Sequence, residues 1–199
     1  MSFLKIKITT YVKMLKKLIC LLFLIFVACG SETPNFHGSD ITEAKLNGRI
    51  ELTSHKNENF DSNSLLGNVV AIFFGFTNCP DICPTTLTEL KLLSTQVNDP
   101  AHFKVLFVSV DPGRDTVEML NDYIPRFGDN VTGLTGSKEN IKKVADQYKI
   151  FYQAIPQGND YTIDHSAGIY LMDKKGRVRL RFPYGTETSL IIEDINKLL

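Results

Sequence analysis

Several features are scarce in this sequence of 199 residues, and each scarcity excludes a class of protein. There is no tryptophan, cysteine and histidine number four each, and no apolar run approaches the roughly 20 residues that a membrane-spanning helix needs. A multi-span membrane protein is therefore excluded, and the residue usage also excludes collagen, a coiled coil and a disordered chain. The 43% of hydrophobic residues is ordinary for a globular core, and the length suits one domain.

An excess of positive charge is also lacking. Lysine plus arginine and aspartate plus glutamate each number 22. Residues 1–28 hold five of the lysines and no acid, so the remaining chain carries 17 basic and 22 acidic groups. This mildly acidic body argues against nucleic acid as a partner, because binding to nucleic acid depends on basic surface that neutralises phosphates.

The N-terminus has the pattern of a targeting segment. An apolar run of 11 residues at 18–28 follows several lysines, as in a secretory signal, and Cys20 within it serves as a small apolar residue. The run ends at Val27-Ala28-Cys29, which resembles a bacterial lipobox, although Phe26 stands where leucine is usual. That resemblance implies cleavage before Cys29, a lipid on its sulfur, and an exported protein anchored to the extracytoplasmic side of a membrane.

Two alternatives stay open for this segment. It could remain uncleaved as an N-terminal anchor in which Cys29 is incidental, and Met14 could be the true start, because a compact signal begins there. Residues 1–28 are thus predicted as a lipoprotein-type signal peptide. Residues 29–48, which are polar and carry no clear period, are predicted as a tether. Residues 49–199 are predicted as the folded domain.

The folded part predicts a sheet with buried central strands. The continuous apolar run at residues 69–76 is typical of a strand buried on both faces, and FKVLFVSV at residues 103–110 predicts a second buried strand. Residues 168–172 and 178–182 flank the turn sequence DKKG and predict a hairpin. A short strand is also expected at residues 49–53.

Apolar residues at helical spacing predict four helices between and after these strands. They follow Pro84, Asp115 and Ser137 and occupy residues 190–199; Asp115 with Glu118 resembles a capping box, and Ser137 is a predicted cap. A strand–helix–strand unit followed by helix, hairpin and helix predicts an α/β, thioredoxin-like fold with a central mixed sheet flanked by helices.

The motif CPDICP at residues 79–84 carries the candidate chemistry. Its two cysteines follow a buried strand, and the carboxyl ends of parallel strands are where α/β proteins place their sites. Pro84 fits the first turn of a helix, so Cys79 is expected on a loop and Cys83 at the helix N-terminus, where the helix dipole would stabilise a thiolate. The spacing allows a disulfide or a shared metal, and two thiolates would select Cu(I), zinc or an iron–sulfur centre.

Three further residues are candidates because of where the predicted fold places them. His165 precedes the C-terminal hairpin, and in a thioredoxin-like fold the loop entering that hairpin faces the cysteine loop. Asp81 lies between the cysteines and could tune the charge of a metal site, or it could be a solvated loop carboxylate. Asp111 ends the neighbouring strand and could face the same rim, or it could be a turn residue.

Four blocks of this sequence resemble the Sco/SenC family. They are FGFTNCPDICP at residues 74–84, SVDPGRDT at 109–116 with Gly113 where glutamate is common, GLTG at 133–136, and DHS at 164–166. The blocks keep the family's order between about residues 70 and 185. One departure lies at residues 54–58, where an expected Asp-Gly turn is replaced by SHKNE.

The resemblance implies a membrane-tethered, thioredoxin-like copper chaperone rather than an enzyme. It implies copper, as Cu(I) or Cu(II), bound by Cys79, Cys83 and His165, with the copper-carrying subunit of cytochrome c oxidase as the partner that receives it at its CuA site. The alternative function is an extracytoplasmic thiol–disulfide oxidoreductase that uses a Cys79–Cys83 disulfide. A thioredoxin-like reductant is a further possible partner. A peroxiredoxin fits less well, because a single peroxidatic cysteine is not what this paired motif offers.

Overall fold

The computed structural model describes residues 35–199, which form an α/β domain of ten strands and four α-helices. The strands are β1 (Ser39–Asp40), β2 (Glu51–Ser54), β3 (Asn59–Asp61), β4 (Val69–Gly75), β5 (Phe103–Ser109), β6 (Val131–Thr135), β7 (Tyr152–Gln157), β8 (Asp160–His165), β9 (Ile169–Met172) and β10 (Val178–Phe182). The helices are α1 (Ile82–Ser94), α2 (Val117–Tyr123), α3 (Lys138–Tyr148) and α4 (Thr188–Leu198).

Eight of these strands form one mixed sheet in the order β1-β10-β9-β4-β5-β6-β2-β3. The three central strands β4, β5 and β6 are parallel, whereas β9 and β10 run antiparallel on one side and β2 and β3 on the other. Strands β7 and β8 form a separate two-stranded hairpin. The predicted α/β fold with a central mixed sheet is confirmed.

Strand β4 shows why the central sheet is covered on both sides. All seven of its residues are buried, and neighbouring side chains point to opposite faces. Phe73 packs near Phe107 on one face, with ring centroids 6.2 Å apart. Phe74 packs on the other face against Tyr148 of α3, at 5.3 Å. A strand without an exposed face needs the continuous apolar sequence that predicted it.

The helix starts confirm one predicted cap and correct another. Ser137 caps α3, because its hydroxyl accepts a hydrogen bond from the Asn140 amide at 3.2 Å. The cap of α2 is Thr116, whose hydroxyl accepts from Met119, so the prediction that Asp115 begins a capping box was wrong. Asp115 instead lies fully buried one residue earlier, where neighbouring hydroxyl groups satisfy its carboxylate.

The folded domain begins before residue 49, the boundary that the sequence predicts. Ser39 and Asp40 pair with Arg181 and Leu180 of β10 and so add an edge strand to the sheet. The buried carboxylate of Asp194 in α4 accepts hydrogen bonds from the His37 and Gly38 amides at 2.7 and 2.9 Å. The last part of the predicted tether therefore belongs to the domain. These contacts join the backbone of this segment to residues far away in sequence, so the local pattern of polar residues does not predict them.

The hairpin of β7 and β8 was not predicted. Its strands pair from Tyr152 opposite His165 to Gln157 opposite Asp160. The signal was present, because Gly158 and Asn159 form a Gly-Asn pair typical of a two-residue turn. Most of β7 is exposed, so the alternation of apolar and polar residues that reveals a half-buried strand is weak there.

A first hairpin forms even though residues 54–58 lack the Asp-Gly turn that is expected from the family. Strands β2 and β3 pair antiparallel, and the turn between them is closed by the Asn57 amide donating to the Ser54 carbonyl at 2.9 Å. Asn57 has φ of 62°, in the left-handed region that asparagine tolerates better than most residues. It therefore supplies the conformation that a glycine would supply in an Asp-Gly turn.

The predicted signal peptide, its Cys29 junction and the first six residues of the predicted tether, 29–34, lie outside the described residues. Within residues 35–199, none of the helices has the length and apolar character required to cross a bilayer.

Candidate metal site

The loop after β4 carries Cys79 to the edge where the parallel strands end. Thr77 fixes this loop, because its amide and hydroxyl both donate to the carboxylate of Asp115, at 3.0 and 2.6 Å. The Cys79 amide closes a turn by donating to the Phe76 carbonyl at 3.3 Å. Cys79 is partly buried against the core, and both cysteines are free thiols. The loop is thus held by a buried carboxylate that comes from the β5–α2 connection.

Cys83 lies in the first turn of α1 and is completely buried. Its amide donates to the Cys79 sulfur at 3.5 Å, which brings the two residues together. The expectation for a loop cysteine followed by one at the helix N-terminus is met. Burial, however, raises the pKa of the Cys83 thiol well above its ordinary value, and neighbouring Cys79 adds to the rise. The favourable effect expected from the helix dipole is thus outweighed, and the thiol is protonated at neutral pH.

His165 ends β8 and points its ring at Cys83. Its Nε2 atom lies 3.9 Å from the Cys83 sulfur, and its Nδ1 atom lies 3.2 Å from the Ser166 carbonyl oxygen. Because a carbonyl only accepts, Nδ1 carries the proton and Nε2 presents its lone pair to the thiol. Burial lowers the pKa of His165, which favours this neutral form. The ring of Phe76 meets the imidazole edge to face, with centroids 5.9 Å apart.

The donor set fits a soft metal ion, with one adjustment needed. Bonds of about 2.3 Å to sulfur and about 2.0 Å to nitrogen separate two ligand atoms of one metal by at most about 4.3 Å. The 3.9 Å between Cys83 and His165 lies within that limit. Among residues 35–199, no three His, Cys, Asp or Glu side chains already form a group that could hold a metal. To complete the site, the Cys79 sulfur, which accepts from the Cys83 amide at 3.5 Å, must come within bonding distance of the same ion.

The structure places the two candidate carboxylates differently. Asp81 precedes α1 and is exposed, and its carboxylate accepts a long hydrogen bond of 3.5 Å from the Thr85 hydroxyl. Asp111 is buried, and its carboxylate accepts from the Arg114 guanidinium and, at 2.8 Å, from the Tyr161 hydroxyl. Asp111 therefore faces the β7–β8 hairpin, and its hydrogen bonds do not lead to the cysteines.

Phe76 and Tyr161 are functional candidates that the sequence reasoning missed. The sequence predicts Phe76 as the last residue of an apolar strand, yet Phe76 lies beyond β4 and packs on His165. Tyr161 belongs to the hairpin that was not predicted. Recognising the Gly-Asn turn would have placed Tyr161 and His165 on one strand, with the same spacing that the structure shows.

A mixed sheet with parallel central strands, a CxxxC motif at a helix start, and a histidine facing it together define a thioredoxin-like protein with a thiol–imidazole site. A sequence model described as SCO1/SenC matches residues 38–199. The chain belongs to the SCO1/SenC family.

Individual relatives agree with this assignment. The SCO2-like protein of Rickettsia prowazekii is 39% identical over 153 residues, which cover 75% of each chain. The solved structure of Bradyrhizobium japonicum ScoI with copper bound has a TM-score of 0.71 and 35% identity, covering 77% of this chain and 99% of that one. Arabidopsis thaliana ScoI with copper bound gives a TM-score of 0.72 and 32% identity, covering 76% and 96%. The resemblance to the Sco/SenC family and the thioredoxin-like fold are confirmed.

Proposed function

We propose that this protein binds copper through Cys79, Cys83 and His165 and delivers it as a chaperone. The observation that carries the proposal is the buried pair of Cys83 sulfur and His165 Nε2 at 3.9 Å, with Cys79 adjoining. Relatives of 35% and 32% identity have been solved with copper bound, which supports copper as the metal. Sulfur ligands favour Cu(I), and an imidazole nitrogen makes Cu(II) acceptable as well.

The same donor set suits transfer of the ion. Three protein ligands leave a position at which an acceptor's ligand can join before the chaperone's ligands leave. Cys79 is partly exposed, so an incoming thiolate or imidazole can reach the metal from its side. We propose the copper-carrying subunit of cytochrome c oxidase as the acceptor, with CuA-site assembly as the result. A thioredoxin-like reductant would keep Cys79 and Cys83 reduced, because a disulfide cannot bind the ion.

A copper titration of the reduced protein tests the assignment. Wild type is expected to bind one Cu(I) and one Cu(II) equivalent in separate titrations. His165→Ala should weaken Cu(II) binding most, because the nitrogen donor matters more for Cu(II) than for Cu(I). His102→Ala is the matched control, since His102 is exposed and its ring pairs with Asp99 at 2.8 Å, far from the cysteines in sequence. Equal Cu(II) affinity of His165→Ala and wild type would contradict the three-ligand site.

The second candidate is a thiol–disulfide oxidoreductase. The observation that favours it is the proximity of two free thiols, with the Cys83 amide 3.5 Å from the Cys79 sulfur. A redox function needs both cysteines and does not need His165. His165→Ala should therefore weaken Cu(II) binding and leave the Cys79–Cys83 redox couple largely intact. Full activity of that variant in assembly of the oxidase would favour the oxidoreductase over the chaperone.

We further propose that the protein is exported and tethered by a lipid on Cys29. Val27-Ala28-Cys29 after an 11-residue apolar run supports this proposal. Mass spectrometry of membrane-extracted protein is expected to find a mature chain that starts at acylated Cys29. Two or more acyl chains would hold the domain stably, whereas one would be marginal. An intact N-terminus at Met1 or Met14, or cleavage elsewhere, would contradict it.

A further inference from the structure

A cluster of three side chains connects the β7–β8 hairpin to the loop between β5 and α2. The carboxylate of Asp111 accepts from Arg114 Nε at 2.5 Å and from the Tyr161 hydroxyl at 2.8 Å. Arg114 also donates from Nη1 to the Tyr161 carbonyl at 2.7 Å and to Asp160 at 3.2 Å. Both chain segments are therefore joined through one carboxylate and one guanidinium. We call Asp111, Arg114 and Tyr161 the hairpin latch.

The latch reaches the metal site through a stack of planar groups. The guanidinium carbon of Arg114 lies 3.7 Å from the ring centroid of Tyr161 and 6.0 Å from that of Phe76. Phe76 in turn meets His165 edge to face at 5.9 Å. Cation–π and aromatic contacts of this kind are directional, so the position of Arg114 affects how Phe76 and His165 pack.

The hairpin has few other attachments to the body of the domain. Strands β7 and β8 pair with each other and not with the eight-stranded sheet, and most of β7 is exposed. At the open end, Phe151 and Ser166 exchange two hydrogen bonds, of 2.9 and 3.1 Å, which close the hairpin on itself. Its apolar contacts with the body come from Ile163, which is buried, and from Tyr152 and Tyr161, which pack against the core. A hairpin attached so sparsely depends on the latch for its orientation.

We propose that the hairpin latch positions His165 for the metal: Arg114 and Tyr161 hold β8 against the β5–α2 loop, and thereby hold the imidazole against Cys83. Opening the latch lets the hairpin swing away and carries the nitrogen ligand with it. Asp111 then serves the site indirectly, through the hairpin, and contributes no bond to the metal. The inference rests on the proposed copper site and assigns its stability to residues that do not touch the ion.

Tyr161→Phe tests the latch with the smallest change. It removes the hydroxyl that donates to Asp111 and keeps the ring under Arg114. Tyr152→Phe is the matched control, because Tyr152 lies on the partner strand and the described residues offer its hydroxyl no hydrogen bond. A hydrogen bond to a charged acceptor is worth enough to change an opening equilibrium by about tenfold or more. Hydrogen exchange of the hairpin amides in the reduced, metal-free protein should therefore accelerate about tenfold in Tyr161→Phe only.

The second measurement is the release of copper from the loaded protein. Transfer of Cu(II) to excess EDTA should be about tenfold faster in Tyr161→Phe than in wild type or Tyr152→Phe, because hairpin opening removes one ligand. The Cys79–Cys83 redox couple should stay largely intact, since both cysteines lie outside the hairpin. Arg114→Met should speed copper release at least as much as Tyr161→Phe does. Arg114→Lys should speed it less, because lysine keeps the positive charge beside Asp111.

Three results would overturn the proposal. The first is equal hydrogen exchange of the hairpin amides in Tyr161→Phe and Tyr152→Phe. The second is hydrogen exchange that accelerates in β4 and α1 as much as in the hairpin. The third is faster exchange of the hairpin amides without faster release of copper. The second result would mean general destabilisation instead of positioning. If wild type bound no copper, the proposed function would fail on its own, and the exchange comparison would still decide whether the latch holds the hairpin.

Discussion

Gly75 makes room for the buried sulfur of Cys83. A Cβ atom at this position would lie 2.8 Å from the Cys83 sulfur and 3.0 Å from the Phe107 ring, and both neighbours are fully buried. Contacts this short force side chains out of place in a core packed as densely as a crystal. The glycine that ends β4 is thus required by the thiol at the start of α1.

Gly75→Ala should therefore lower the free energy of unfolding by about 1–3 kcal/mol, as overpacking does in other cores. Urea denaturation of the reduced protein measures it. Gly113→Ala is the control, because its nearest contact would be an ordinary 3.6 Å to the Tyr161 hydroxyl and its φ is not positive. The control should stay within about 0.5 kcal/mol of wild type. Equal effects of the two substitutions would contradict the close packing at Gly75.

His55 should make the stability of the domain depend on pH. Its Nδ1 atom accepts a hydrogen bond from the Gly133 amide at 3.2 Å, and burial lowers its pKa below the ordinary value of 6.5. The unfolded chain therefore takes up this proton first, so the contribution of neutral His55 is complete above about pH 6.5 and is lost as the pH falls through the folded-state pKa.

His55→Asn keeps an acceptor and removes the titration. Between pH 7 and pH 5, the free energy of unfolding of wild type should fall more than that of the variant. The other histidines, including His165, are present in both proteins and cancel in the comparison. Parallel pH profiles in denaturant titrations would contradict the assignment.

At the scale of elements, the segment before β1 is held by α4. Asp194 lies fully buried in that helix, where its carboxylate accepts from the amides of His37 and Gly38 and from Lys197 at 2.8 Å. The neighbouring pair of Glu193 and His37 is exposed, with side-chain exposures of 58% and 38%. The two acids lie side by side in sequence and differ mainly in burial, which makes them a matched pair.

Asp194→Ala should cost about 2–4 kcal/mol of stability, because it leaves two backbone amides without their acceptor. Glu193→Ala should cost less than about 1 kcal/mol, as is usual for an exposed ion pair. Limited proteolysis should cut near residues 37–40 faster in Asp194→Ala only. Similar losses in both variants would mean that the buried carboxylate does not hold this segment.

The elements that could be predicted are those in which the pattern of apolar residues reflects which side chains are buried. Strands β4 and β5 are buried along their length, and α3 has its cap Ser137 and an apolar face, so each was visible in the pattern. The hairpin of β7 and β8 is largely exposed and contains Pro156 within a strand, so no burial pattern marked it. Asp115 was misplaced because its carboxylate accepts from Ser109 of β5 and from Thr77, which is 38 residues away in sequence, whereas a cap is inferred from the adjacent residues alone.

At the scale of the whole molecule, the candidate site joins segments far apart in the chain. Cys83 and His165 are 82 residues apart in sequence, and they meet because β4 ends at the edge of the sheet beside the hairpin. The cysteine pair could be identified from spacing alone. The histidine became a candidate through its place in the predicted thioredoxin-like fold and a ligand through the family resemblance, since a lone histidine has no local signal. The latch could not be predicted, because it needs the hairpin that the sequence reading missed.

Copper bound only by the folded molecule should raise the stability of the entire domain. A ligand that binds the native state alone stabilises it by about 2.7 kcal/mol at a free concentration of 100 times Kd. Reduced wild type in buffered Cu(I) should therefore unfold at higher urea concentration than the metal-free protein. Cys79→Ser, whose altered residue is only partly buried, should fold and lose most of this gain. An equal gain in wild type and Cys79→Ser would mean that the ion binds elsewhere, because both ligand sets cannot hold it equally well.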